Sequence, residues 1–114
     1  MRFSSLSPIF GAALLACAQV GLAQDGSVTI TQPMEGATLD GMAQNKVVYE
    51  VMPGPQGDHV HLYVDGKEAA ILRQLKGEYM LKNLASGPHD ICIKVVNKGH
   101  TPVGIEQCVK VSVH

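Results

Sequence analysis

The sequence predicts an all-β antiparallel sandwich behind an N-terminal leader. Three observations predict it. Six to eight short runs alternate apolar and polar residues with period two. Turn signals built from Gly, Pro, Asn and Asp recur every eight to twelve residues. No long amphipathic helical segment follows the first two dozen residues.

The leader comes first in the chain. Arg2 is a minimal positive start, Leu6 to Ala16 is a short apolar run, and Gly21 and Ala23 are the small residues before a cut at Gln24. This is the pattern of a secretory signal peptide over residues 1–23, leaving residues 24–114 as one domain. The apolar run is too short to remain as a membrane anchor, so the mature form carries no transmembrane anchor. A second reading takes "LLAC", Leu14 to Cys17, as a lipoprotein box with Cys17 lipidated. Leu15 fits that box poorly, which favours soluble export to the periplasm or beyond.

The strands follow in order. "SVTITQP" sets Val28 and Ile30 against Thr29 and Thr31, and "NKVVYEVM" sets Val47, Tyr49 and Val51 on one face. A Pro-Gly turn over residues 53–57 leads to "HVHLYV", with Val60, Leu62 and Val64 opposite His59, His61 and Tyr63. Asp65-Gly66 is a two-residue hairpin turn, because both positions tolerate positive φ. "KEAAILRQL" fits a strand or a short helix, and "GEYMLKNL" fits a short strand. "HDICIKVV" carries Ile91, Ile93 and Val95 on one face; the last run carries Val109, Val111 and Val113.

The segment "LASGPHDICIKVVNKGHTPVG" reads like the last hairpin of an immunoglobulin or fibronectin type III domain. With "HVHLYVDG" and the closing "VKVSV", the chain resembles small secreted bacterial immunoglobulin-like domains of unknown function. The resemblance implies the fold and an exported compartment. "GDHVHLYVDG" alone is also similar to the copper-ligand strand of copper/zinc superoxide dismutases, and by that match His59 and His61 are copper ligands. Leu62 departs from a Glu in that strand, no zinc-loop pattern is present, and the one Arg left after the leader, Arg73, is far from the chain end.

Composition narrows the function. Without the leader the chain has eight Lys and Arg against ten Asp and Glu and no Trp, with no basic stripe, so nucleic-acid binding is disfavoured. No nucleophile elbow, phosphate-cradling glycine loop or Cys-x-x-Cys occurs, so the expectation is a binding protein and not an enzyme.

The histidines carry the chemistry. On a strand, residues two apart share a face, so His59 and His61 present two imidazoles together. In an immunoglobulin-type topology their strand neighbours the penultimate strand, and the loop bearing His100 hangs near the start of "HVH". His59, His61 and His100 then make a copper or zinc site, with Met52 as an optional fourth arm. The expected setting is a half-exposed outer sheet face, with Val60, Leu62 and Val64 inward. His89 belongs at the opposite end, capping the Gly87-Pro88 turn; Asp58 and Asp65 read as turn-formers, and His114 as solvated. The plainer alternative makes "HVH" a solvated strand face on an interaction module that meets another exported protein or a glycan. A third reading is a copper-only enzyme of the superoxide dismutase kind.

Cys92 and Cys108 are the only cysteines after the leader. Each lies opposite its strand's apolar face, and pairing symmetric about His100 sets them side by side. The expectation is a disulfide, which an oxidising compartment permits. The alternative makes both of them thiolate ligands.

Overall fold

The computed structural model describes residues 25–114. Residues 1–23, read as a leader, and Gln24 lie outside the described residues. Eight strands form two facing sheets: β1 (Ser27–Gln32), β2 (Thr38–Leu39), β3 (Asn45–Met52), β4 (His59–Val64), β5 (Lys67–Leu72), β6 (Lys76–Leu81), β7 (Gly87–Val96) and β8 (Pro102–Val113). One sheet has the order β1-β3-β6 and the other β2-β8-β7-β4-β5. All pairings are antiparallel except the short β2 beside β8. No helix among the described residues is long and apolar enough to cross a membrane.

The core lies where the two inner faces meet. Val47, Tyr49 and Val51 of β3 face Val60 and Leu62 of β4, Ile91, Ile93 and Val95 of β7, and Val109 and Val111 of β8 in one buried cluster. These are the residues the alternation assigns inward, since a one-residue slip would turn each strand inside out. Val64, at the open end of β4, is only partly buried against the cluster.

The β4–β5 hairpin turns at Asp65 and Gly66, with φ of 53° and 83°, as the Asp-Gly pair predicts. The segment over residues 67–72 is a strand, which resolves the strand-or-helix ambiguity. Its alternation is broken by a bulge: Tyr63 pairs with Glu68 and Leu62 with Ala70, leaving Ala69 over. The extra residue keeps Leu72 inward while Glu68 stays level with Tyr63 on the outer face.

Two further features position the site. β7 and β8 pair as Cys92↔Cys108 and Lys94↔Glu106, symmetric about His100, then shift at Val96↔Pro102 as the chain enters its loop. The 53–57 turn packs closely: a Cβ on Gly57 would run into the Pro53 carbonyl oxygen and the Val95 side chain. That close approach lets Asp58 N donate to Val96 O at 2.8 Å and start β4 in register.

Candidate metal centre

β4 is the second strand from the edge of the five-stranded sheet, between β7 and β5. Val60 and Leu62 are fully buried in the core, so His59 and His61 point to the sheet's outer face, as expected. Their exposure is not as expected: His59 and His61 are 1% and 3% exposed, not half-exposed. The covering is local. Val96 and Lys94 stand beside them on β7, Ile71 beside His61 on β5, and the His100 ring closes over them from the β7–β8 loop.

The loop is built to present His100. Asn97 Oδ1 accepts from Gly99 N at 2.9 Å and Thr101 N at 3.0 Å, and Asn97 N donates to Thr101 O at 2.9 Å. His100 N donates to Asn97 O at 2.9 Å, and His100 takes φ of 66°. That left-handed conformation is uncommon outside glycine, though His tolerates it better than most residues.

Three ring nitrogens converge. His59 Nε2 lies 3.2 Å from His61 Nε2 and 3.2 Å from His100 Nδ1, and His61 Nε2 lies 3.0 Å from His100 Nδ1. An ion bonded to three imidazole nitrogens at about 2.0–2.1 Å with tetrahedral angles holds them about 3.3 Å apart. The observed triangle matches that spacing closely.

The far side of each strand histidine meets a carboxylate. His59 Nδ1–H donates to Asp58 Oδ2 at 2.9 Å, and Glu68 Oε1 lies 3.1 Å from His61 Nδ1. A carboxylate only accepts, so the His59 ring keeps its proton on Nδ1 and turns a lone pair on Nε2 toward the centre. Glu68 stands beside His61 Nδ1 as a charge contact without hydrogen-bond alignment. A bound cation would take one lone pair from each of the three converging ring nitrogens.

Electrostatics favour a neutral His61 ring. Burial pushes the His61 imidazole below its ordinary 6.5, against the pull of Glu68 and in concert with His59, His100 and Arg73. The hydrogen bond from His59 holds the Asp58 carboxyl below its ordinary 3.8, helped by the charges of His59, Lys98 and Arg73. Arg73 Nη1 is 3.9 Å from Asp58 Oδ2.

Of the predicted residues, His59, His61 and His100 come together. Met52 does not join them: it is 59% exposed and alternates with buried Val51 on β3, so it faces out from the other sheet. Cys92 and Cys108 form a disulfide and supply no thiolate. His89 lies at the opposite end and caps the Gly87-Pro88 turn, Nε2 donating across it to Ala85 O at 2.7 Å; it also ties in the β4–β5 hairpin, Nδ1 donating to Asp65 Oδ2 at 2.6 Å. Asp58 and Glu68 are the participants that sequence reasoning missed. Counting back from the Asp65-Gly66 turn puts Glu68 level with Tyr63, on the face of His61, and is the signal that finds it.

The sandwich has solved counterparts. A fibronectin(III)-like module of Clostridium thermocellum CbhA is similar over 75% of this chain and 94% of that one, at 22% identity and a TM-score of 0.63. The fold is that of a fibronectin type III-like sandwich. A Pyrococcus furiosus CARDB domain, solved in complex with di-metal ions, is similar at 16% identity and a TM-score of 0.50, over 78% of this chain and 92% of that one. The extracellular domain of a putative one-component system from B. thetaiotaomicron is similar at 12% identity and a TM-score of 0.51, over 77% of this chain and 15% of that one. No family model and no curated protein matches the sequence.

Proposed function

We propose that this is an exported metal-binding protein that holds one copper or zinc ion through His59, His61 and His100. The observation that carries the reading is the triangle of ring nitrogens with edges of 3.0–3.2 Å, two of them backed by carboxylates. An all-imidazole set suits borderline ions, and copper(II) heads the affinity order for such donors. The role is binding, handling or sensing of the ion rather than turnover.

Titration calorimetry of copper(II) and zinc(II) into the untagged protein near neutral pH tests the site. The expected result is sub-micromolar one-to-one binding that is lost in His59→Ala, His61→Ala and His100→Ala. Binding no tighter than millimolar, or binding that survives loss of both strand histidines, returns "HVH" to a structural role and favours an interaction module.

Export is part of the same proposal, with residues 1–23 as leader and 24–114 as the mature domain. Support comes from the leader pattern and from the disulfide, which persists in oxidising compartments. Mass spectrometry of protein from the producing cell should find an N-terminus at or near Gln24. A diacylglyceryl-modified Cys17 would replace soluble export with lipid anchoring.

A further inference from the structure

We infer that the centre is a transfer site whose ion leaves through His100, by direct attack of a donor group carried by a receiving protein. The inference rests on the metal-binding reading above and goes on to say how the ion moves and what takes it.

The three ligands are of two kinds. His59 and His61 are buried in a paired central strand, and each ring has its outer nitrogen against a carboxylate. Neither can rotate without leaving packed surroundings and a charged partner. His100 is exposed, and among the described residues its Nε2 has no hydrogen-bond partner. Its loop is held by Asn97 through backbone groups, so the ring can swing on its own bonds while the backbone stays as it is. Rotamer changes of exposed side chains take picoseconds to nanoseconds.

The coordination leaves room for an incoming group. Among the described residues three nitrogens gather here, whereas closed structural zinc sites use four protein ligands. An entering donor bonds the ion on the exposed side first. His100 then departs with its lone pair, and His59 and His61 follow. No electron changes hands and the ion keeps its charge. The receiving protein must present imidazole donors able to reach the ion beside the 97–101 loop.

The test is metal release from the untagged protein, loaded with one equivalent of copper(II), to a chromogenic pyridylazo-resorcinol chelator in excess. Transfer by attack makes the rate rise in proportion to chelator concentration over about a tenfold range. His100→Asn keeps a residue that tolerates positive φ and removes the third arm. It should speed release at a fixed chelator concentration by at least about tenfold, the lower end of what losing even an outer-shell partner does. A rate independent of chelator concentration overturns the inference, because the ion then leaves an enclosed site by itself. An unchanged rate in His100→Asn also overturns it. A protein that takes up no ion overturns the metal site as well, and the loading step separates that failure from the other two.

Discussion

Glu68 reaches across from β5 to His61 on β4, its carboxylate oxygen 3.1 Å from the ring Nδ1. Regular pairing out from the Asp65-Gly66 turn sets Glu68 level with Tyr63 on the outer face, and the bulge at Ala69 then returns Leu72 to the core. Asp58 meets His59 from the preceding residue, at 2.9 Å. His59 therefore has its tautomer set before an ion arrives, and His61 has a carboxylate charge beside its outer nitrogen.

Glu68→Gln should weaken copper(II) or zinc(II) binding by about 10–100-fold, the usual effect of removing a ligand's carboxylate partner. The fold should hold, since the Glu68 side chain is 46% exposed. Asp58→Asn should act in the same direction through His59. Calorimetric affinity beside thermal unfolding of the ion-free protein separates the two effects. Unchanged affinity in both variants would mean that the carboxylates are bystanders.

The fold was largely legible in the sequence because most of the core strands alternate cleanly. Val47, Tyr49 and Val51, or Val109, Val111 and Val113, read inward at sight. β5 was ambiguous for a physical reason: the bulge breaks its period, and Ala69 and Ala70 carry little preference. The three histidines were legible from strand parity and topology together. Their burial was not, because it comes from a loop folding back over the outer face, and period-two reasoning treats that face as solvated. Glu68 stayed hidden for a related reason. It joins the site through hairpin register, which a scan for ligand-type residues along the chain does not count.

Acid should release the ion and loosen the ion-free fold. His61 sits below its ordinary 6.5 in the folded chain, chiefly through burial, so the unfolded chain binds a proton that the fold resists. Stability is full above that ordinary value and falls as pH drops through it toward the lowered folded value. Protons also compete with the ion for the same nitrogens. An ion at about 100 times its dissociation constant adds about 2.7 kcal/mol. The copper-induced rise in thermal midpoint should therefore be large at about pH 7.5 and mostly gone at about pH 5. Equal rises at both pH values would count against imidazole ligation.

At the far end of the sandwich the sign is reversed. Both His89 nitrogens face acceptors, Ala85 O and the Asp65 carboxylate, so the ring favours its doubly protonated form. The Ala85 carbonyl first, and Asp65 next, push it above its ordinary 6.5. This contribution is complete below that value and is lost as pH rises through the raised folded one. Asp65 is held below its ordinary 3.8, first by the Asp90 N–H and then by His89, so its share is present above that value and is lost as pH falls through the lowered folded one. The Asp65 side chain is 47% exposed, so screening keeps the pair under about 1 kcal/mol. His89→Gln should cost stability near pH 6 and progressively less on the alkaline side, read as urea midpoints against wild type. Parallel pH curves for the two proteins would sink the assignment.

The Cys92–Cys108 bond ties the hairpin that carries His100. The two residues are direct partners across β7 and β8, on the outer face in the row beyond Lys94 and Glu106. Their separation of 16 residues closes a loop whose cross-link is worth about 3 kcal/mol in the chain-entropy model. That is a large share of the roughly 5–15 kcal/mol available to a small domain. Cys92→Ala with Cys108→Ala should lower the unfolding free energy by about 2–4 kcal/mol in urea while the core strands still form. Copper affinity should fall only modestly, because the pairing from Lys94 to Glu106 and the Asn97 bonds still shape the loop. Thiol titration of the unfolded, unreduced mature protein should find none. Two reactive thiols there, or a double variant as stable as wild type, would remove the cross-link from the account of how the His100 loop is held.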